Sequence, residues 1–276
     1  MNTLVDGAPR PTEKTRSHGL PDFLSVPQRD PKPRQRGLTH VLDKGTPIAL
    51  LEAFLDTQAH LVDYLKIGWG TAYIDPVLRE RIALCSAADV RLCLGGTLLE
   101  VSAAQGRIAE LCRWASAAGV HALEVSNGLQ LLTPTEKARL IRTLAQDFVV
   151  LAETGAKADD VPVVADDWVR ELEADLDSGA DLVIAEGRES GTVGLYDTRG
   201  DVRADLVEAI ARRLPLDRVL FEAPRKSQQV WLISRFGSQT NLGNVSLEEV
   251  LPLETCRLGL RADTAEALTT GGRRGA

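Results

Sequence analysis

The sequence predicts a closed (β/α)8 TIM barrel, and three observations carry that prediction. Eight short apolar runs alternate with stretches of helical periodicity, the pattern of successive strand–helix units around a parallel sheet. No linker divides the chain, and its 276 residues, 44% of them hydrophobic, can bury one large core. No Gly-x-Gly-x-x-Gly follows the first run, which disfavours the structural competitor, an open doubly wound sheet.

In chain order, residues 1–36 form a proline-containing basic arm with Arg10, Lys14, Arg16, Arg29, Lys32, Arg34 and Arg36, expected to be a mobile extension or an oligomer strap. The barrel domain spans 37–264. Its first strand is placed at 38–43 (LTHVLD), followed by a helical face of Ile48, Leu51, Leu55 and Val62. The second, 64–68 (YLKIG), sets a lysine among apolar residues, and the third is 91–95 (RLCLG). Ile108, Leu111, Cys112 and Ala115 then share one helical stripe, which Gly119 should stop before the fourth strand, 122–126 (ALEVS). The fifth strand is 148–153 (FVVLAE); Trp168, Leu172 and Leu176 form the next stripe, stopped by Gly179, before the sixth, 181–186 (DLVIAE). The seventh is 218–223 (RVLFEA) and the eighth 239–243 (QTNLG). Residues 265–276 read as a flexible tail.

Composition excludes several functions. A net charge of -7 argues against broad nucleic-acid binding. No apolar run approaches the roughly 20 residues of a membrane helix, and no signal-peptide core opens the chain, so a cytoplasmic protein is expected. Cys85, Cys93, Cys112 and Cys256 contain no CxxC pair and read as reduced thiols. The four histidines are scattered, which leaves zinc and a serine or cysteine triad without their parts.

Chemistry in such a barrel sits at the C-terminal strand ends, which here are mostly charged. They carry Asp43-Lys44-Gly45, Lys66, Glu124 with Ser126-Asn127-Gly128, Glu153 with Lys157 beyond it, Glu186-Gly187-Arg188-Glu189, Glu222, and Asn241. A single strand-end carboxylate is commonly a cap or a salt-bridge partner. Several converging on one mouth must be balanced by cations or a metal, because unpaired buried charge is costly. Lys66 is therefore expected among carboxylates, holding an anionic substrate group; the alternative is a structural ion pair.

The stretches "GLTHVLDKG", "LKIGWGTA", "GGTLLE", "LEVSNG", "AEGRESG", "GLYD" and "FEAPRKSQQVWLISRFGSQTNLGNVSLEEVLPLETCRLGLRADT" together resemble the phosphosulfolactate synthase family, from about Gly37 to Thr264. The resemblance implies a barrel enzyme that adds sulfite to phosphoenolpyruvate in a Mg2+-dependent step of the coenzyme M type. Three positions depart from the family's pattern: Thr154 in Glu153-Thr154-Gly155, Ala72 after Gly-Trp-Gly-Thr, and Ala262 before Asp263-Thr264. None removes a charged strand-end residue.

On that resemblance, small anionic substrates are the expected partners, in a homo-oligomer that binds neither nucleic acid nor membrane. Glu153, Glu186 and Glu222 offer hard oxygens suited to Mg2+, two of the three as ligands directly or through water, unless they pair with Lys157, Arg188 and Arg225. Lys66, Lys44 and Lys157 are the candidates for anion binding and proton donation, with Lys157 preferred as donor, and Asp43 joins them from the intact first-strand motif. Lys226, Ser227, Asn241 and Gly243 lie in the two loops where barrels often hold phosphate, although capping by Ser227 and turn formation by Gly243 would explain them too. Arg188, Asn127 and Arg261 complete the anion-binding set. Two rivals remain: the same scaffold adding a thiol or phosphite to an enol phosphate, and a noncatalytic, stress-related relative, for which loss of strand-end charge would be the signature.

Overall fold

In the computed structural model, which describes residues 21, 23–155 and 163–265, eight parallel strands close into a barrel in sequence order. They are β1 (Thr39–Asp43), β2 (Tyr64–Ile67), β3 (Arg91–Leu94), β4 (Ala122–Val125), β5 (Val149–Thr154), β6 (Leu182–Ala185), β7 (Val219–Glu222) and β8 (Leu242–Val245). Helices α1 (Ile48–Gln58), α2 (Thr71–Ile74), α3 (Leu78–Ala87), α4 (Gly96–Ala104) and α5 (Ile108–Ala118) join the first four strands. Helices α6 (Pro134–Leu144), α7 (Ala165–Asp177), α8 (Ala204–Arg213), α9 (Lys226–Phe236) and α10 (Val250–Arg257) complete the described circuit. None of the described helices is long and apolar enough to cross a membrane, and all four cysteines are free thiols.

Strand alternation explains how the mouth becomes charged. Side chains two residues apart on a strand share a face. Inside the barrel, Leu38, Tyr64, Cys93, Ala122 and Leu151 pack with Leu182, Ile184 and Leu220. Two residues beyond Tyr64 comes Lys66; beyond Ala122, Glu124; beyond Leu151, Glu153; beyond Ile184, Glu186; beyond Leu220, Glu222. The inner face thus changes from apolar to ionic in a single step at the C-terminal ends. The opposite faces, including Leu65, Leu123, Val150, Val183 and Phe221, belong to the larger core between strands and helices.

Several boundaries follow the local chemistry already noted. Gly119 caps α5 at φ 86°, and Gly179, at φ 102°, follows the end of α7; both use the left-handed region that glycine enters without steric cost. α6 starts with a reciprocal Thr133–Glu136 capping box and Pro134 in its first turn. Val62, expected on the first helical face, lies beyond it: α1 ends at Gln58, a 3-10 turn covers Ala59–Leu61, and Val62 is extended.

The eighth strand runs Leu242–Val245 and not 239–243. Thr39 aligns with Leu242 but Val41 with Val245, so β8 carries one extra residue, a bulge in which Asn244 adopts φ 53°. The shift exchanges the asparagine that reaches the mouth.

The arm is also closer to the barrel than expected. Arg29 donates to Glu254 Oε1 at 3.0 Å, Gln239 Oε1 at 2.9 Å and Gly37 O at 2.8 Å. Arg34 is buried, bonding Asp63 Oδ1 at 3.1 Å and His60 O at 2.7 Å. Gly37, His60, Asp63 and Gln239 lie before β1, β2 and β8, and Glu254 lies on α10, so the end of the arm closes the N-terminal rim as a strap, its cations paired with the carboxylates there. Arg10, Lys14, Arg16 and the tail 266–276 lie outside the described residues. Deleting 1–28 should leave kinetic constants within about threefold. Arg29→Ala should cost on the order of 2 kcal/mol, because it strips charged hydrogen bonds from the rim; denaturant unfolding of both variants checks this.

Candidate active site

The C-terminal strand ends enclose a cavity of about 240 Å³. Among the described residues, its lining includes five carboxylates, Glu124, Glu153, Glu186, Glu189 and Glu222, against two cations, Lys66 and Arg188. Gly68, Gly95 and Gly96 form part of the remaining wall. Trp69, Arg188 and Asn244 line it with left-handed backbones, φ 53°, 55° and 53°. Such conformations are costly for residues with a side chain and concentrate at functional sites.

Lys66 sits at the centre. Its Nζ lies 2.9 Å from Glu124 Oε2, 3.2 Å from Glu222 Oε1 and 3.3 Å from Asn244 Oδ1, with Glu153 Oε2 at 3.9 Å. Three ammonium hydrogens meet three near acceptors, which favours the ion-pair reading over direct service to a substrate. Burial would lower the Lys66 pKa, but Glu124, Glu222 and Glu153 outweigh it and hold it well above the usual lysine range.

Glu124 is held from several sides. Gly96 N donates to its Oε2 at 3.2 Å, and His40 Nε2 approaches its Oε1 at 3.3 Å without hydrogen-bond alignment. Burial opposes its charge, yet Lys66 and His40 bring its carboxyl down to about 2. Glu222 is equally committed: its Oε2 accepts from Gly187 N at 3.0 Å and Arg188 N at 2.8 Å, the left-handed turn at Arg188 presenting both amides.

Glu153 is different. Burial, then Glu186, then Glu222 push its carboxyl well above the usual range, with Lys66 opposing from 3.9 Å. Glu186 is buried and has Arg188 Nε 3.9 Å from its Oε1. A Cβ on Gly155 would stand 2.1 Å from Glu186 Oε2, so glycine there lets Glu186 lie across the end of β5. No group of three His, Cys, Asp or Glu among the described residues is arranged around a metal position. Glu153 and Glu186 nevertheless fit a hard divalent cation: two adjacent buried carboxylates disfavour each other's charge, and a cation between them would relieve this. Glu222, with both oxygens engaged, is the least suited of the three.

The other expected site residues go elsewhere. Asp43 accepts from Gly45 N, Thr46 N and Arg81 Nη1 at 2.9, 2.7 and 2.8 Å, which shapes the β1–α1 loop. Lys44 is exposed and outside the cavity lining. Asn127 exchanges bonds with the backbone of Leu132 at 2.8 and 2.9 Å. Lys226 pairs with Asp263 at 2.7 Å on the exterior, Ser227 is exposed in the first turn of α9, and Arg261 lies beyond α10. Asn241 accepts from Leu38 N at 2.9 Å and donates to Val219 O at 3.0 Å at the opposite end of the barrel. Gly243 faces inward where a Cβ would meet Leu220 at 2.2 Å, a packing role and not a phosphate cradle. Lys157 lies outside the described residues. Asn244, His40 and Arg81 carry contacts that sequence reasoning missed; Asn244 stands in the "NLGN" turn, but only the bulge turns it toward Lys66.

A family model described as (2R)-phospho-3-sulfolactate synthase (ComA) matches residues 27–263. Phosphosulfolactate synthase from Methanothermobacter thermautotrophicus is 41% identical over 249 residues, covering 88% of this chain and 96% of its own. Phosphosulfolactate synthase from Bacillus subtilis is 35% identical over 247 residues, covering 88% and 98%. Among solved structures, 3-hexulose-6-phosphate synthase from Salmonella typhimurium superposes with a TM-score of 0.51 at 12% identity, covering 84% of this chain and 99% of that one, a likeness of barrel fold alone. With the family match beginning inside the strap and running through every strand, this chain is an enzyme of the (2R)-phospho-3-sulfolactate synthase family.

Proposed function

We propose that the enzyme adds sulfite to phosphoenolpyruvate, giving phosphosulfolactate, with Mg2+ held by Glu153 and Glu186. The observation that carries this reading is a mouth lined, among the described residues, by five carboxylates against two cations. Phosphoenolpyruvate and sulfite are both anions near neutral pH, so such a mouth admits them only after positive charge is added. When bound, Mg2+ would supply that charge and stabilise the negative charge that develops on the substrate carboxylate.

The protein's own residues do the rest. Arg188, its side chain 32% exposed and paired among the described residues only with Glu186 at 3.9 Å, can offer guanidinium donors to a phosphate or sulfite oxygen. Lys66 keeps Glu124 ionised and holds Glu124 and Glu222 in place; an ammonium whose pKa is raised is a poor acid, so it acts as a fixed charge. The sulfur lone pair bonds to the methylene carbon, the double-bond electrons move toward the carboxylate, and a proton returns to the phosphate-bearing carbon. No group leaves. Lys157, four residues after Glu153 in the chain, is assigned as the proton donor.

Phosphorus NMR tests the reading. With phosphoenolpyruvate, Mg2+ and separate nucleophiles, a new phosphomonoester signal should grow with sulfite. Growth only with a thiol or phosphite would identify the rival chemistry, and no conversion with any nucleophile would favour the noncatalytic relative.

A further inference from the structure

Behind β5, outside the cavity, lies a second ionic cluster that the reaction does not use, with Lys137 and Asp175 buried and Glu171 at its exposed edge. Lys137 on α6 is 3% exposed, and its Nζ donates to Glu153 O at 2.9 Å, Glu171 Oε1 at 2.7 Å and Asp175 Oδ2 at 2.7 Å. Both carboxylates come from α7. One ammonium therefore joins α6, α7 and the end of β5, with all three of its hydrogens used. The carbonyl it takes is informative. The β4–β5 pairing ends at Val125 with Ala152, so Glu153 is the first residue of β5 beyond that ladder. Its main chain is held on the β4 side by a lysine instead of a strand neighbour.

We propose that Lys137 is a positioning residue for the cation site: by clamping the Glu153 main chain past the end of the ladder, it fixes how the Glu153 carboxylate enters the mouth and so sets divalent-cation affinity. The inference rests on the reading of Glu153 as a cation holder. Because α7 supplies the counter-charges, the clamp transmits the position of the helix layer to the mouth without touching substrate. Small displacements matter there, since functional carboxylates depend on the shell that holds them.

Mn2+ serves as the probe, its affinity measured from the electron paramagnetic resonance signal of the free ion, with thermal unfolding recorded in parallel. Lys137→Met should raise the Mn2+ Kd of the folded protein at least tenfold and raise the Mg2+ concentration needed for half-maximal rate. Glu173→Gln, on α7 in an exposed pair with Arg213, should leave the Kd within about twofold. A Lys137→Met protein that melts lower but binds Mn2+ like the parent would make the cluster purely structural and overturn the proposal. If Lys137→Met does not fold, Asp175→Asn carries the test: an increase in Kd supports the clamp, and an unchanged Kd overturns it. Mn2+ binding indifferent to Glu153→Gln would defeat the reading of Glu153 and this inference with it. Binding that needs Glu153 but ignores Lys137 would defeat the inference alone.

Discussion

Lys66→Met should unfold more easily by about 3–5 kcal/mol near pH 8, the cost of leaving buried carboxylates without their cation. The stem volume is nearly retained, so little of the loss comes from packing. The pH dependence identifies the cause. In the parent, Glu124 has its pKa depressed to about 2, so its contribution is present above the unfolded carboxylate value and is lost only as pH falls toward 2. Without Lys66, the buried Glu124 and Glu153 would take up protons more readily folded than unfolded, and stability then falls as pH rises. The gap between variant and parent should shrink toward about pH 5. Turnover should drop by about two orders of magnitude or more, since the charged wall loses its arrangement. Denaturant unfolding at the two pH values measures the effect; a variant as stable as the parent yet inactive would return Lys66 to direct substrate binding.

Glu153→Gln should separate stability from function. Burial and Glu186 hold the Glu153 carboxyl well above the usual range, so without a cation its neutral form is favoured and glutamine reproduces it. A raised carboxyl contributes stability at low pH that is lost as pH rises through its folded value; the variant should lose that slope and be as stable as the parent, or more so. The Mg2+-dependent gain in Tm should disappear, and turnover should fall by about two orders of magnitude or more. In the parent, that gain should grow with pH, because ligation requires Glu153 to release its proton. Removing metal with a chelator should abolish turnover altogether. Thermal scans with and without Mg2+ at several pH values check these outcomes; full activity in verified metal-free protein would end the metal assignment.

The barrel was legible because its information is periodic. The inward run Tyr64, Lys66 and the parallel runs ending in Glu124, Glu153, Glu186 and Glu222 differ from an ordinary buried strand by one charge at one end, and strand alternation then fixes where that charge points. Position beyond a strand is less informative. Asp43 and Asn127 stand at or just past strand ends as Glu153 and Glu186 do, but Asp43 is used up by Gly45 N, Thr46 N and Arg81, and Asn127 by the backbone of Leu132. Their short side chains satisfy turns, a competition that charge alone does not reveal. Asn241 and Asn244 were interchanged by a bulge of one residue, and an extra residue moves side chains from one face or end to another. The strap was underestimated because its cations look solvated in isolation; Asp63 and Glu254, which bury Arg34 and Arg29, are distant in sequence. Lys137 was unread for the same reason, its acceptors lying on α7 and β5.

Calorimetric titration of phosphoenolpyruvate into the protein, with and without Mg2+, tests the central claim that this carboxylate-lined mouth takes its anionic substrate only through a divalent cation at Glu153 and Glu186. Saturable binding should appear with Mg2+ and weaken at least about a hundredfold, roughly 2.7 kcal/mol, in chelated protein and in Glu153→Gln. Equal binding with and without the cation would mean that the cavity already carries enough positive charge, and would contradict the account.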